Sequence, residues 1–95
     1  MSIPLLDFLA KESLSVPQAR VLDYIANNDN PSCRHVAEAL EIAPAFASKL
    51  AGGLVRRSLV NNAQAQEDKR DRELHLTAAG KKLWTRLEKV KNGKA

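Results

Sequence analysis

The sequence predicts a mainly α-helical domain closed by one small β-hairpin. Apolar residues recur at intervals of three and four in five segments, the spacing of a buried stripe on an amphipathic helix. One stretch, Glu73-Leu74-His75-Leu76, alternates instead with the period of a strand. Capping and turn residues fall at the joints between these segments, at Ser15, Asn27–Pro31, Ser32, Ala43-Pro44 and Thr77.

Taken in order, residues 1–14 hold a short first helix with Leu5, Leu6, Leu9 and Phe8 toward one face. Residues 15–58 hold a three-helix core. Ser15 and Gln18 have capping-box spacing, and Pro17 suits a first turn, where its missing N–H is not needed. Val21, Leu22 and Ile25 form the buried stripe of this helix, which ends at the turn-forming run NNDNP. Ser32 then caps a third helix with Val36, Ala37 and Leu40 inward. After Ile42, Ala43-Pro44 breaks the chain and opens a helix over 44–57, where Ala47, Leu50 and Leu54 recur at helical spacing. Two short helices joined by a tight turn, the second ending in basic residues, have the form of a helix-turn-helix, whose second helix is presented to the major groove. Residues 59–77 read as a hairpin of strands 59–65 and 72–77, with seven consecutive charged residues, Glu67 to Glu73, at its tip. Thr77 caps a last helix over 78–92, striped by Leu83, Leu87 and Val90 and surrounded by Lys81, Lys82, Arg86 and Lys89. The expected architecture is a single winged helix-turn-helix domain over 1–95.

Composition narrows the function classes. Ninety-five residues supply one modest core and little room for an enclosed active site. Up to Ser48 three Lys and Arg stand against six Asp and Glu, net −3; from Lys49 onward twelve stand against five, net +7. A basic half on a small domain of pI near 9.5 is what a polyanion-binding surface requires. The single cysteine, Cys33, has no partner for a disulfide within the chain, which points to a reducing compartment. Residues 3–10 are apolar but carry Asp7 and are too few to span a bilayer. No membrane association is expected, and the reading is a cytoplasmic, nucleoid-associated protein. His35 and His75 are isolated from other ligand-type residues, so neither a metal nor another cofactor is expected. With no nucleophile, base and orienting group at a shared spacing, no enzyme is expected either.

The ordered series VAEALEIAPAFASKLAGGLVRRSLV, then DKR at 68–70, then LTAAG at 76–80, resembles the MarR-type winged-helix transcriptional regulators over residues 15–90. The resemblance implies that the helix over 44–57 is the recognition helix. It points to Ala45, Phe46, Ser48 and Lys49 at the major groove, with Arg34 and Arg56 as further DNA-binding cations. It also places Arg70, flanked by Lys69 and Arg72, at the minor groove, and gives Asp68 the task of shaping the wing. The chain departs from the family pattern at Ala43 and Ser58, where a cap and a glycine are usual, at Asn62, and at the Gly52-Gly53 pair. Its first helix is short and only one helix follows the wing. Leu5, Leu6, Phe8 and Leu9 with Trp84, Leu87 and Val90 are therefore a candidate face for a reduced homodimer, although Leu83 and Leu87 suit the core as well. No small-molecule effector is expected.

Three functions stay open at this point. The first is a sequence-specific duplex-DNA-binding regulator acting as a repressor. The second is a winged helix that contacts a protein partner and has lost DNA binding. The third is a structural DNA binder in replication, segregation or recombination of a mobile element.

Overall fold

A computed structural model describes residues 4–29, 31–64 and 72–92 of the chain. The elements run α1 (Pro4–Lys11), α2 (Val16–Asn27), α3 (Cys33–Leu40), α4 (Pro44–Arg56), β1 (Val60–Gln64), β2 (Arg72–Leu76) and α5 (Ala78–Lys91). Three of the helices begin at side-chain caps. Ser15 Oγ accepts the Gln18 N–H at 3.1 Å while Gln18 Oε1 accepts the Ser15 N–H at 3.0 Å, a complete capping box for α2. At α3, Ser32 Oγ accepts the His35 N–H at 3.2 Å and His35 Nδ1 accepts the Ser32 N–H at 3.2 Å. An imidazole here does the work that Glu or Gln does in the usual box. At α5, Thr77 Oγ1 accepts the Gly80 N–H at 3.0 Å. The fourth helix differs from these three, since Ala43 precedes α4 with no side-chain hydrogen bond and Pro44 occupies its first turn.

The hairpin is antiparallel, with Val60 opposite Leu76, Asn62 opposite Leu74 and Gln64 opposite Arg72. Leu74 also donates its N–H to the Pro31 carbonyl at 2.8 Å, and Ser32 forms an antiparallel bridge with Glu73. The start of α3 is thereby tied to the base of the wing. Ser32 is correspondingly buried. Among the described residues, Leu22 of α2, Leu54 of α4 and Leu74 of β2 are fully buried and sit in one cluster with Val36, Leu83 and Leu87. This cluster draws on every helix, because Leu9 of α1 joins it as well.

The ends of several elements differ from expectation: β1 begins at Val60 rather than 59, β2 ends at Leu76 rather than 77, and α5 ends at Lys91 rather than 92. The first helix stops at Lys11, where Ser13 takes a left-handed φ of 53°, and the fourth stops at Arg56 rather than at 57. On α1 the apolar face divides: Leu9 is buried and Leu5 and Phe8 are partly buried, whereas Leu6 is 51% exposed. A two-turn helix offers too few residues for periodicity to locate its inner edge.

Candidate nucleic-acid interface

The joint between α3 and α4 is made by backbone geometry. Glu41 takes a left-handed φ of 56°, and its N–H bonds back to the Ala37 and Glu38 carbonyls. The Ile42 N–H also returns to Ala37 at 3.0 Å, which closes α3 and turns the chain within three residues. α4 then buries Ala47, Leu50, Ala51 and Leu54 against the core and exposes Ala45, Phe46, Ser48, Lys49 and Arg56. Positions 45, 48, 49, 52 and 56 lie at helical spacing along one outward stripe. No acidic residue occurs anywhere on this helix, so its outer face presents small groups, a hydroxyl, an aromatic ring and two cations. Phe46 is 41% exposed, unusual for a side chain of its size.

The glycine pair lies beside this stripe. A Cβ on Gly52 would meet only the flexible end of Arg56, at 3.7 Å, and one on Gly53 would meet the end of Gln18 at 3.2 Å. Among the described residues, no backbone atom outside this helix comes within 4 Å of a Cβ at Gly52. Gly80 is the opposite case, since its Cβ would fall 2.0 Å from the Leu59 carbonyl oxygen. The first turn of α5 therefore lies directly on the turn that leaves α4.

That turn is held from several sides. Arg57 donates to the Ser13 carbonyl at 3.1 Å and to the Glu12 carbonyl at 2.7 Å. Ser58, at a left-handed φ of 60°, receives the Thr77 hydroxyl hydrogen on its carbonyl at 2.6 Å. The serine in place of glycine thus keeps the left-handed turn and carries its strain. Arg57 was absent from the residues singled out in the sequence; its partners lie 44 and 45 positions away, where no local pattern reaches.

Arg34, in the first turn of α3, is exposed, and Arg72 opens β2 opposite Gln64. Asp68, Lys69 and Arg70 lie outside the described residues. Asn62 is exposed on β1, and on β2 His75 Nε2 lies 3.3 Å from Glu73 Oε2. Cys33 is half-buried at the start of α3. The candidate dimer face needs correction at two positions: Leu9 and Leu87, at 5% and 3% exposed, belong to the protomer core. Trp84 and Val90 are half-buried, and the Trp84 indole donates to Asp23 Oδ1 at 3.0 Å across 61 residues. Lys91 reaches the same oxygen at 3.2 Å. Burial pushes the Asp23 carboxyl up, but the hydrogen bonds from Trp84 and Lys91 and the charge of Lys91 outweigh it and hold the group below the ordinary carboxylate value. Lys91 is held above its ordinary value, first by its bond to Glu88 and then by Asp23. Leu5, Leu6 and Val16 are left to border an apolar groove between α1, α2 and α5, with Leu6 and Val16 both about half exposed.

Among the described residues no helix is long and apolar enough to cross a membrane, and no three His, Cys, Asp or Glu come together as a metal site. A two-helix unit with an outward second helix, followed by a hairpin bridged to the start of α3, defines a winged helix-turn-helix protein. The chain belongs to the MarR family, whose model matches residues 12–71 and whose members are transcription regulators, not enzymes. Solved structures agree on the fold. A mutant of MepR from Staphylococcus aureus bound to an oligodeoxyribonucleotide matches with a TM-score of 0.85 and 22% identity, over 92% of this chain and 64% of that one. YusO from Bacillus subtilis matches with a TM-score of 0.86 and 20% identity, over 94% and 63%. CouR from Rhodococcus jostii, bound to p-coumaroyl-CoA, matches with a TM-score of 0.81 and 21% identity, over 96% and 64%. The chain thus spans less than two thirds of the length of each of these proteins. No curated protein matches it.

Proposed function

We propose that the chain binds duplex DNA sequence-specifically as a transcriptional repressor, with α4 in the major groove and the wing at the minor groove. The observation that carries this reading is the outer face of α4, where Ser48, Lys49 and Arg56 stand beside exposed Ala45 and Phe46 with no carboxylate among them. Ser48 and Lys49 can bond base edges or phosphates, and Phe46 and Ala45 can meet a thymine methyl. Ala43 leaves the first amides of α4 without a side-chain acceptor, and a phosphate is a fitting partner for such a helix end. Gly52, where a Cβ would meet among the described residues only the end of the Arg56 side chain, lets backbone approach a ligand. A protein of the same fold, the MepR mutant bound to an oligodeoxyribonucleotide, adds support.

In this reading Arg34 and Arg72 add phosphate contacts, and Lys69 and Arg70 serve the wing tip that Asp68 shapes. Repression follows from occlusion of a promoter by the bound protein. A homodimer joined at the groove bordered by Leu5, Leu6 and Val16 would read a two-fold site. Selection of bound sequences from random duplexes, followed by footprinting and sedimentation of the complex, tests specificity, symmetry and stoichiometry together. Arg70→Ala is expected to weaken binding at least several-fold, whereas Glu67→Ala leaves it equal or stronger. Absence of binding even at low salt would refute the proposal. The exposed Phe46 ring also suits a protein contact. Co-purification of a stoichiometric protein partner without any shift of DNA would favour that reading instead.

A further inference from the structure

We infer that Arg57 is a positioning residue for DNA recognition: it holds the C-terminal end of α4 against α1 and does not itself contact DNA. The inference rests on the DNA-binding reading above. By type and place, the second of two arginines at the end of a recognition helix, Arg57 would ordinarily be assigned to a phosphate.

Its guanidinium is otherwise engaged. Nη2 donates to the Glu12 carbonyl at 2.7 Å and Nη1 to the Ser13 carbonyl at 3.1 Å. These carbonyls end α1, where the Ser13 N–H returns to Ala10 and the Leu14 N–H to Leu9 around the left-handed Ser13. Carbonyls at such a terminus have no partner within their own helix, and a cation there also answers the negative end of the helix dipole. The carboxylate of the same Glu12 accepts from Arg86 of α5 at 2.7 Å, and the Arg86 guanidinium lies 5.4 Å from the centre of the Phe8 ring. Glu12 is therefore a junction: its main chain holds α4, and its side chain holds α5.

The consequence is mechanical. Lys49 and Arg57 are eight residues apart, about 12 Å along a helix. A tilt of roughly 10° at the anchored end would displace Lys49 by about 2 Å, more than a base-reading contact tolerates. Phosphate contacts, carried by long flexible side chains and by charge, tolerate it far better. Losing the anchor should thus degrade discrimination between sequences while sparing non-specific affinity and its salt dependence.

The test uses the full chain, a selected duplex and a scrambled duplex over a series of salt concentrations, well below the melting temperature. For Arg57→Ala, affinity for the selected duplex is expected to fall roughly 2- to 30-fold, the range seen for residues that transmit position without touching ligand. Affinity for the scrambled duplex and the slope of log affinity on log salt should stay at wild-type values. Arg57→Lys, which keeps the charge and one donor, should recover part of the discrimination. Glu12→Ala, which keeps the carbonyl that Arg57 uses, should retain more of it than Arg57→Ala. Equal losses on both duplexes with a slope shallower by about 0.9 would make Arg57 a phosphate contact and overturn the inference. Unchanged affinity for both duplexes would overturn it too. Wild-type protein that binds neither duplex would instead sink the DNA reading itself, and this role with it. Should Arg57→Ala melt within the assay range, Arg57→Lys carries the same comparison.

Discussion

The two ends of α4 are built in opposite ways. Its N-terminal end starts at Ala43 with no side-chain cap and exposes Ala45, Phe46, Ser48 and Lys49. Its C-terminal end is tied through Arg57 to the end of α1 and through Ser58 to Thr77 at the start of α5, with Gly80 packed on the Leu59 carbonyl. Apolar burial runs along the whole inner face of α4, through Ala47, Leu50, Ala51 and Leu54, whereas the side-chain hydrogen bonds to neighbouring elements are concentrated at one end. α4 is thus packed along its inner face and fastened by hydrogen bonds at its base, while its first turn lacks a side-chain acceptor and its outer face is open to something outside the protomer.

The largest effect is expected at the held end. Gly80→Ala puts a methyl where the Leu59 carbonyl oxygen already lies, 2.0 Å from the ideal Cβ, so backbone must shift. A loss of about 3 kcal/mol is expected, at the upper end for overpacking, measured as a fall in the urea midpoint with little change in slope. A near-neutral Gly80→Ala would mean that α5 does not bear on that turn. Thr77→Ala removes both the cap on the Gly80 N–H and the donor to Ser58. It should cost about 1–2 kcal/mol in the same assay.

The open end should respond with the other sign. Ala43→Ser supplies the acceptor that the start of α4 lacks and should raise stability by about 1 kcal/mol. If a phosphate completes that end, the same variant should gain nothing in DNA affinity; a gain would show that the uncapped turn was merely loose. The smallest effect lies away from α4, at Asp23. Its folded carboxyl is held below the ordinary value, so its contribution is present above the ordinary carboxylate range and is lost as pH falls through the folded value. Because the Lys91 partner is 41% exposed, this contribution is screened and should stay below about 1 kcal/mol. Trp84→Phe should flatten the acid limb of the stability profile; an unchanged limb would place the shift elsewhere.

What the sequence made legible was local. The Ser15–Gln18 box, the Ser32 and Thr77 caps and the stripe of Ala47, Leu50 and Leu54 are settled within a few residues, and each is present in the fold. The resemblance implied a glycine at position 58 and left open whether Ser58 strains the turn or reshapes it; the structure has the left-handed φ, and so the strained form. What escaped was long in sequence and short in space: Arg57 to Glu12, Trp84 to Asp23 and Arg86 to Glu12 cross 45, 61 and 74 positions. The sequence left Arg57 without a role and placed Arg86 on an outer face, because nothing local marks a partner so far along the chain. His35 closing the cap of α3 was likewise hidden, since the usual pattern asks for Glu or Gln. The outer face of α4 could be read because its inner face could. Once Ala47, Leu50 and Leu54 were assigned inward, Ser48 and Lys49 had to point out.

The most direct test of the account is the affinity of the chain for a duplex selected from a random pool, titrated against salt beside a scrambled duplex. Log affinity should fall linearly with log salt, by about 0.9 per phosphate contacted, and the selected duplex should be preferred by at least about 1,000-fold. Equal affinity for the two duplexes, or none at low salt, would contradict it.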